Sequence, residues 1–218
     1  MTVSRKLIFP TRYPPLLITT LLLLLSIAVS AQFDLPGLIT AIQMTLVALS
    51  GVYVASSRRK EIYTSIAIGI PWIVLLWLHA QTDWRWTLIA SSAVGAVFLG
   101  HTIYLMLHHI FRAREVGADL LAGAAAVYLL LSLIWAFLYG IVDQRIAGAF
   151  TGGEKTLFDF VYFSLTTLTT LGYGDISPVA PLPRMLAVLE AAVGVLYTAI
   201  LIGRLMGIHL ENRQKDNP

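Results

Sequence analysis

The sequence predicts an all-α membrane protein: six transmembrane helices, a short re-entrant helix and a glycine-bearing loop. Three observations predict it. Apolar residues make up 57% of the 218 residues and charged ones only 12%, about half the charged share of a soluble domain. The mean hydropathy is +0.78. Six apolar stretches, about 15–31, 36–55, 62–80, 86–109, 118–142 and 183–208, stand near the length needed to cross a bilayer, which is roughly 20 residues. Helices are the expected form because, closed barrels aside, only they satisfy their own backbone in lipid.

The first stretch follows Arg5, Lys6 and Arg12 and ends in Ala28-Val29-Ser30-Ala31. It is either a retained helix or a secretory signal with a small-residue cleavage site. The long positive region and the hydrophobic segment that follows at once favour the helix. Pro71 lies inside the third stretch and is expected to kink it or end its first half. The fourth has no Lys or Arg between Arg85 and Arg112. His101 and His108 share a helical face there, with His109 next to them. Ordinary hydrogen bonding of His101 to a neighbouring helix explains them better than a metal site. The join 111–117 is polar, and is either an amphipathic connector along the membrane surface or a loop. Residues 157–169 are too short to span and read as a re-entrant helix, with Thr156 as N-cap and Asp159 completing a capping box.

Basic residues orient the chain. With the N-terminus in the cytoplasm, inner loops hold Arg5, Lys6, Arg12, Arg58, Arg59, Lys60, Arg112, Arg114, Arg204, Arg213 and Lys215. Outer loops hold Arg85, Arg145, Lys155 and Arg184. Eleven against four is the positive-inside bias. It puts both termini in the cytoplasm and the loop after the re-entrant helix outside.

That loop is the most informative part of the chain. It reads Thr166-Thr167-Leu168-Thr169-Thr170-Leu171-Gly172-Tyr173-Gly174-Asp175, after the apolar run Phe160-Val161-Tyr162-Phe163. Gly172 and Gly174 tolerate positive φ, so successive carbonyls can turn toward one axis. Thr170 adds a carbonyl and a hydroxyl, and Tyr173 can brace the loop from behind. Rings of carbonyls replace the water around K⁺, and four copies close each ring. K⁺ is therefore expected at Thr170, Leu171, Gly172 and Tyr173, with Gly174 completing the ion-binding loop. A Gly-Tyr-Gly-Asp turn in an ordinary outer loop is the plainer alternative, but the flanking spans and short helix favour a filter.

The pattern Thr-x-x-Thr-x-Gly-Tyr-Gly-Asp, with Leu171 where valine is common, resembles the tetrameric potassium channel family. The resemblance covers roughly 115–208 and is strongest over 160–175. It implies a six-span subunit with a selectivity filter, a homotetramer around one pore, and passive K⁺ conduction. It divides the chain into a four-span peripheral domain (1–112), a pore domain (113–210) and a short cytoplasmic tail (211–218). The tail is too short for a folded ligand-binding domain. The missing arginine ladder argues against usual voltage gating, since a steep sensor needs several charges in the field. The family's aromatic cuff implies that Tyr162 supports the filter by bonding Asp175, with Thr169 ending the pore helix behind it. Gly194 is implied as a gate hinge, close helix packing being the alternative.

Glu190 is the one acidic residue inside the last stretch. It either forms an acidic ring in the cavity or faces the pore helix and accepts from Thr166 or Thr167. The second is favoured, because crowded carboxylates repel.

No enzyme chemistry is visible, as Glu190 has no evident acid–base partner. The chain has no cysteine, so it has neither disulfide nor thiolate site. No organic cofactor is implied beyond K⁺ ions in the filter. The net charge of +3 is spread among loops and does not point to nucleic acid. The expected partners are the lipid bilayer and three further copies. The small size and lack of a sorting tail point to a prokaryotic inner membrane. A less selective cation channel and a non-conducting accessory protein of the same fold remain the alternatives.

Overall fold

The structure, a computed structural model, describes residues 12–33, 35–55, 59–82, 84–113 and 115–216. Arg5, Lys6, Arg58 and Arg114, which entered the orientation count, lie outside the described residues. Seven helices follow in order: α1 (Pro14–Phe33), α2 (Gly37–Val54), α3 (Arg59–Thr82), α4 (Arg85–Arg112), α5 (Ala118–Arg145), α6 (Leu157–Leu168) and α7 (Pro181–Asp216). Six are long and apolar enough to cross a membrane, and α6 is the short seventh. Among the described residues β-pairing is limited to an isolated bridge between Phe150 and Pro178. The protein is an all-helical membrane protein.

Helices adjacent in sequence pack together from α1 through α6, and α1 returns to α5, so the first four spans close onto the side of α5. The core is continuous across this junction. Trp72 of α3 lies 5.2 Å from the Phe98 ring of α4 and 6.2 Å from Phe137 of α5, and all three are buried. Burying an aromatic ring of this size stabilises by roughly 2–3 kcal/mol on an area basis. The base of α1 is tied as well: Asp119 Oδ1 accepts from the backbone N–H groups of Arg12 and Tyr13.

Several boundaries depart from the sequence expectation. The helix α3 runs unbroken through Pro71, so the expected end of its first half does not occur. Neighbouring helices hold a proline-containing span together in a way that an isolated helix cannot. Among its described residues the join between α4 and α5 contains no helix, which speaks against the amphipathic-connector alternative. The helix α5 continues to Arg145 rather than 142 and takes in Asp143, while α7 continues through the expected tail to Asp216. His101 Nε2 meets Ser65 Oγ at 3.2 Å and Thr64 Oγ1 at 3.4 Å, the bond to a neighbouring helix expected of it.

The helix α7 stands apart. In its apolar 18-residue stretch only 11% of the residues are buried, against 56% in that of α5. It leans on α6 and α5 along one side and leaves Val188, Leu196, Ile200 and Met206 exposed.

Candidate functional site

The short helix α6 starts at a complete capping box. Thr156 Oγ1 accepts from the Asp159 N–H, and Asp159 Oδ2 accepts from the Thr156 N–H at 2.7 Å. It ends in a tight reversal in which the Thr166 carbonyl accepts both Leu171 N (2.8 Å) and Gly172 N (3.1 Å). Thr169 donates its hydroxyl to the Leu165 carbonyl at 2.6 Å. The last turn is thus closed by the first residues of the loop it presents.

The loop then alternates in hand. Thr170, Gly172 and Gly174 have φ of 61°, 52° and 80°, and Leu171 and Tyr173 between them do not have positive φ. In an extended strand successive carbonyls point to opposite sides. Alternating left- and right-handed residues instead bring like groups to one side, as in a backbone nest. Gly172 and Gly174 adopt this hand freely. Thr170 does not: a β-branched residue at positive φ stores about 1–3 kcal/mol of strain, and sequence reading did not anticipate it. Among the described residues no hydrogen bond reaches the carbonyls of Thr170, Leu171, Gly172 or Tyr173. The Gly174 carbonyl accepts Ser177 Oγ at 3.1 Å, so it alone of the five expected ion-binding residues has a partnered carbonyl. The loop lies on the surface of the protomer, with Tyr173 68% exposed.

Behind the loop stands a bracket of aromatics. Tyr162 of α6 donates its hydroxyl to Asp175 Oδ2 at 2.8 Å. Its ring stacks on Tyr173, centroids 6.4 Å apart and 5° from parallel, and on Phe158 below. The Tyr162 bond holds the Asp175 carboxyl below its usual range, helped by backbone N–H groups of Ile176 and Asp175 itself. The far side of the loop is pinned by Thr151 N to Ser177 O (2.9 Å) and Val179 N to Ala149 O (2.8 Å).

Below the loop, Glu190 is fully buried. Its Oε2 accepts from Tyr139 of α5, and its Oε1 is joined to Ser164 of α6. Ser164 Oγ also lies 2.9 Å from the Ser132 carbonyl. One hydroxyl proton cannot serve both contacts, so either Ser164 alternates between them or Glu190 supplies a proton of its own. The expected partners, Thr166 and Thr167, are corrected: Thr166 gives its hydroxyl to the Phe163 carbonyl of its own helix (3.0 Å). The acidic ring facing the cavity is also corrected, because the carboxyl points between helices. Gly194 lies one turn further along α7, against the end of α6. A Cβ there would collide with the Leu168 carbonyl and side chain, and that carbonyl also accepts Tyr128 OH at 2.8 Å.

Sequence reading missed Tyr128, Ser132, Tyr139 and Ser164. A signal for the first three existed. They fall four and seven residues apart in an otherwise apolar span, hence on one helical face, and hydroxyls in a span face protein rather than lipid.

Residues 124–209 match the model of the family described as "Ion channel". The chain is similar to Protein LctB of Bacillus caldotenax, 29% identical over 119 residues, which is 51% of this chain and 88% of that protein. It is also similar to Two-pore potassium channel 4 of Arabidopsis thaliana, 38% identical over 58 residues, 26% of this chain and 20% of the relative. A third similarity is to the inward rectifier potassium channel Kirbac3.1 of Paramagnetospirillum magnetotacticum, 32% identical over 78 residues, 34% of this chain and 24% of the relative. The matches span a quarter or less of these two potassium channels. No solved structure matches the chain at a significant level.

Proposed function

We infer, from the premise that the pore half of this chain belongs to the ion channel family, that the protein conducts K⁺ passively as a homotetramer. The observation that carries this reading is the run of four unpartnered carbonyls, Thr170 to Tyr173, in a loop whose φ changes sign at every residue. Carbonyls set toward one axis exchange for the hydration shell of K⁺, and four protomers supply four oxygens per level. Cyclic head-to-tail contacts close such a ring. Tyr162, Thr169, Asp175 and Glu190 hold the loop's supports, and Gly194 lets α7 approach it. The similarity to two potassium channels favours K⁺ over a less selective cation pathway. The exposed apolar side of α7 supports a site completed by other copies. Both termini face the cytoplasm in this reading, on the charge bias given above.

Gly174→Ala tests the reading. A Cβ at Gly174 meets nothing within 4 Å in the protomer, so its effect comes from the φ of 80° alone. That hand costs an L-residue about 1–2 kcal/mol. Tracer uptake by liposomes holding the purified protein should show potassium preferred over sodium in the wild type and much less so in the variant. A wild-type preference in Gly174→Ala contradicts the filter assignment.

A further inference from the structure

Away from the filter, one crevice gathers positive charge. It measures about 350 Å³ and is lined by Arg85, Trp86, Ile89 and Arg145. Arg85 opens α4 and Arg145 closes α5. The two helices pack against each other, so these ends meet at one membrane boundary. The Arg145 guanidinium lies 5.3 Å from the Trp86 ring centroid, a cation–π contact made through the guanidinium face. Among the described residues neither arginine has a carboxylate partner; Asp83 lies outside them. Asp143, the acid nearest Arg145 in sequence, stands within electrostatic reach of Lys155 instead.

Two cations at one crevice repel unless an anion is shared between them. The arginine fork suits phosphate oxygens, which it can hold in a bidentate way. Position decides between a free and a lipid-borne phosphate. Trp84 and Trp86 are 66% and 70% exposed at the end of a spanning helix, where aromatic belts meet lipid headgroups. Ile89 lies one turn deeper and offers an apolar wall that a free phosphate would not use.

We propose that this crevice binds the phosphodiester of an anionic membrane lipid, with Arg85 and Arg145 on the phosphate and the acyl chains descending past Ile89. The bound lipid joins α4 of the four-span unit to α5 of the pore half.

The test is native mass spectrometry of the purified full chain with phosphatidylglycerol, phosphatidylcholine or inorganic phosphate added to the detergent solution. The wild type should hold phosphatidylglycerol about 10-fold more tightly than R85Q/R145Q, a difference of about 1.4 kcal/mol. It should also prefer it to phosphatidylcholine, whose choline brings its own cation. Inorganic phosphate at the same concentration should not compete. The measurement scores only intact folded protein, so misfolding cannot pass for lost binding. Should the double variant fold poorly, Ile89→Asn keeps both arginines, adds no charge that could pair with Arg85, and should weaken lipid binding by removing the apolar wall. Equal retention of phosphatidylglycerol by the wild type and the charge-removing variant overturns the proposal, as does displacement of the lipid by inorganic phosphate.

Discussion

Asp175 and Glu190 are two carboxyl groups near the glycine loop, and each is held by a tyrosine. Asp175 bonds Tyr162 at the surface, which lowers its pKa. A group whose folded pKa is depressed adds stability above its ordinary pKa and loses it as pH falls through the folded value. Acidification below about pH 4, the ordinary aspartate range, should therefore weaken the conducting state of the wild type. Tyr162→Phe removes the donor and little volume, so its conducting state should be shorter-lived at neutral pH and less sensitive to acid. Long single-channel recordings from pH 7 to pH 3 check this, and identical acid sensitivity in the two proteins refutes the brace. Glu190 is different, because it is buried among Tyr139, Ser164 and Ser132. Glutamine keeps an acceptor for Tyr139 and a donor for Ser164, so Glu190→Gln should leave conductance and thermal stability close to wild type. Glu190→Ala strands the buried Tyr139 hydroxyl, while Ser164 keeps the Ser132 carbonyl, and should cost about 1–3 kcal/mol, read as a lowered melting temperature. A Glu190→Gln variant with strongly reduced conductance would return the carboxyl to the ion path. The Tyr162–Asp175 pair was within reach of the sequence because the family resemblance implies an aromatic partner for that aspartate and Tyr162 offers the hydroxyl. The partners of Glu190 were not: Tyr139 is 51 residues away, and helical spacing alone does not set which turns of two helices meet.

Among the elements, α7 is tied at two levels. At Gly194 it rests against the Leu168 carbonyl at the end of α6. Overpacking a well-fitted contact costs about 1–3 kcal/mol, so Gly194→Ala should lower the melting temperature even with the pore closed. The same variant tests a hinge: a changed open probability at unaltered stability would favour bending over packing. Near its other end, Arg204 Nη2 donates to the carbonyls of Phe111 and Ala113, at 3.0 and 2.9 Å. These carbonyls end α4, where a cation also suits the helix dipole. Arg204→Gln should loosen the four-span unit from the inner helix and shift open probability, with about 1 kcal/mol lost from a partly exposed pair of charged bonds. Recordings of open probability decide it, and unchanged gating would leave Arg204 with a purely structural role. The spans and the short helix were legible because apolar length and caps are local properties. The continuity of α3 through Pro71 and of α7 to Asp216 was not, since both depend on neighbours or on helix propagation beyond the apolar run.

At the scale of the molecule, one protomer would supply a quarter of the proposed site. The filter loop and much of α7 lie on its surface, and the loop's four free carbonyls come from a single strand. A short join ties α4 to α5, and α1 and α4 pack on α5, so in the proposed assembly the exposed side of α7 is the face open to other copies. The central claim is selective K⁺ conduction through a filter that four chains share. The most direct measurement is the reversal potential of the purified protein in planar bilayers with potassium on one side and sodium on the other. A selective filter drives the reversal potential toward the potassium equilibrium value, far from zero. A reversal potential near zero with clear current, or no current from protein shown to be tetrameric, would contradict the account.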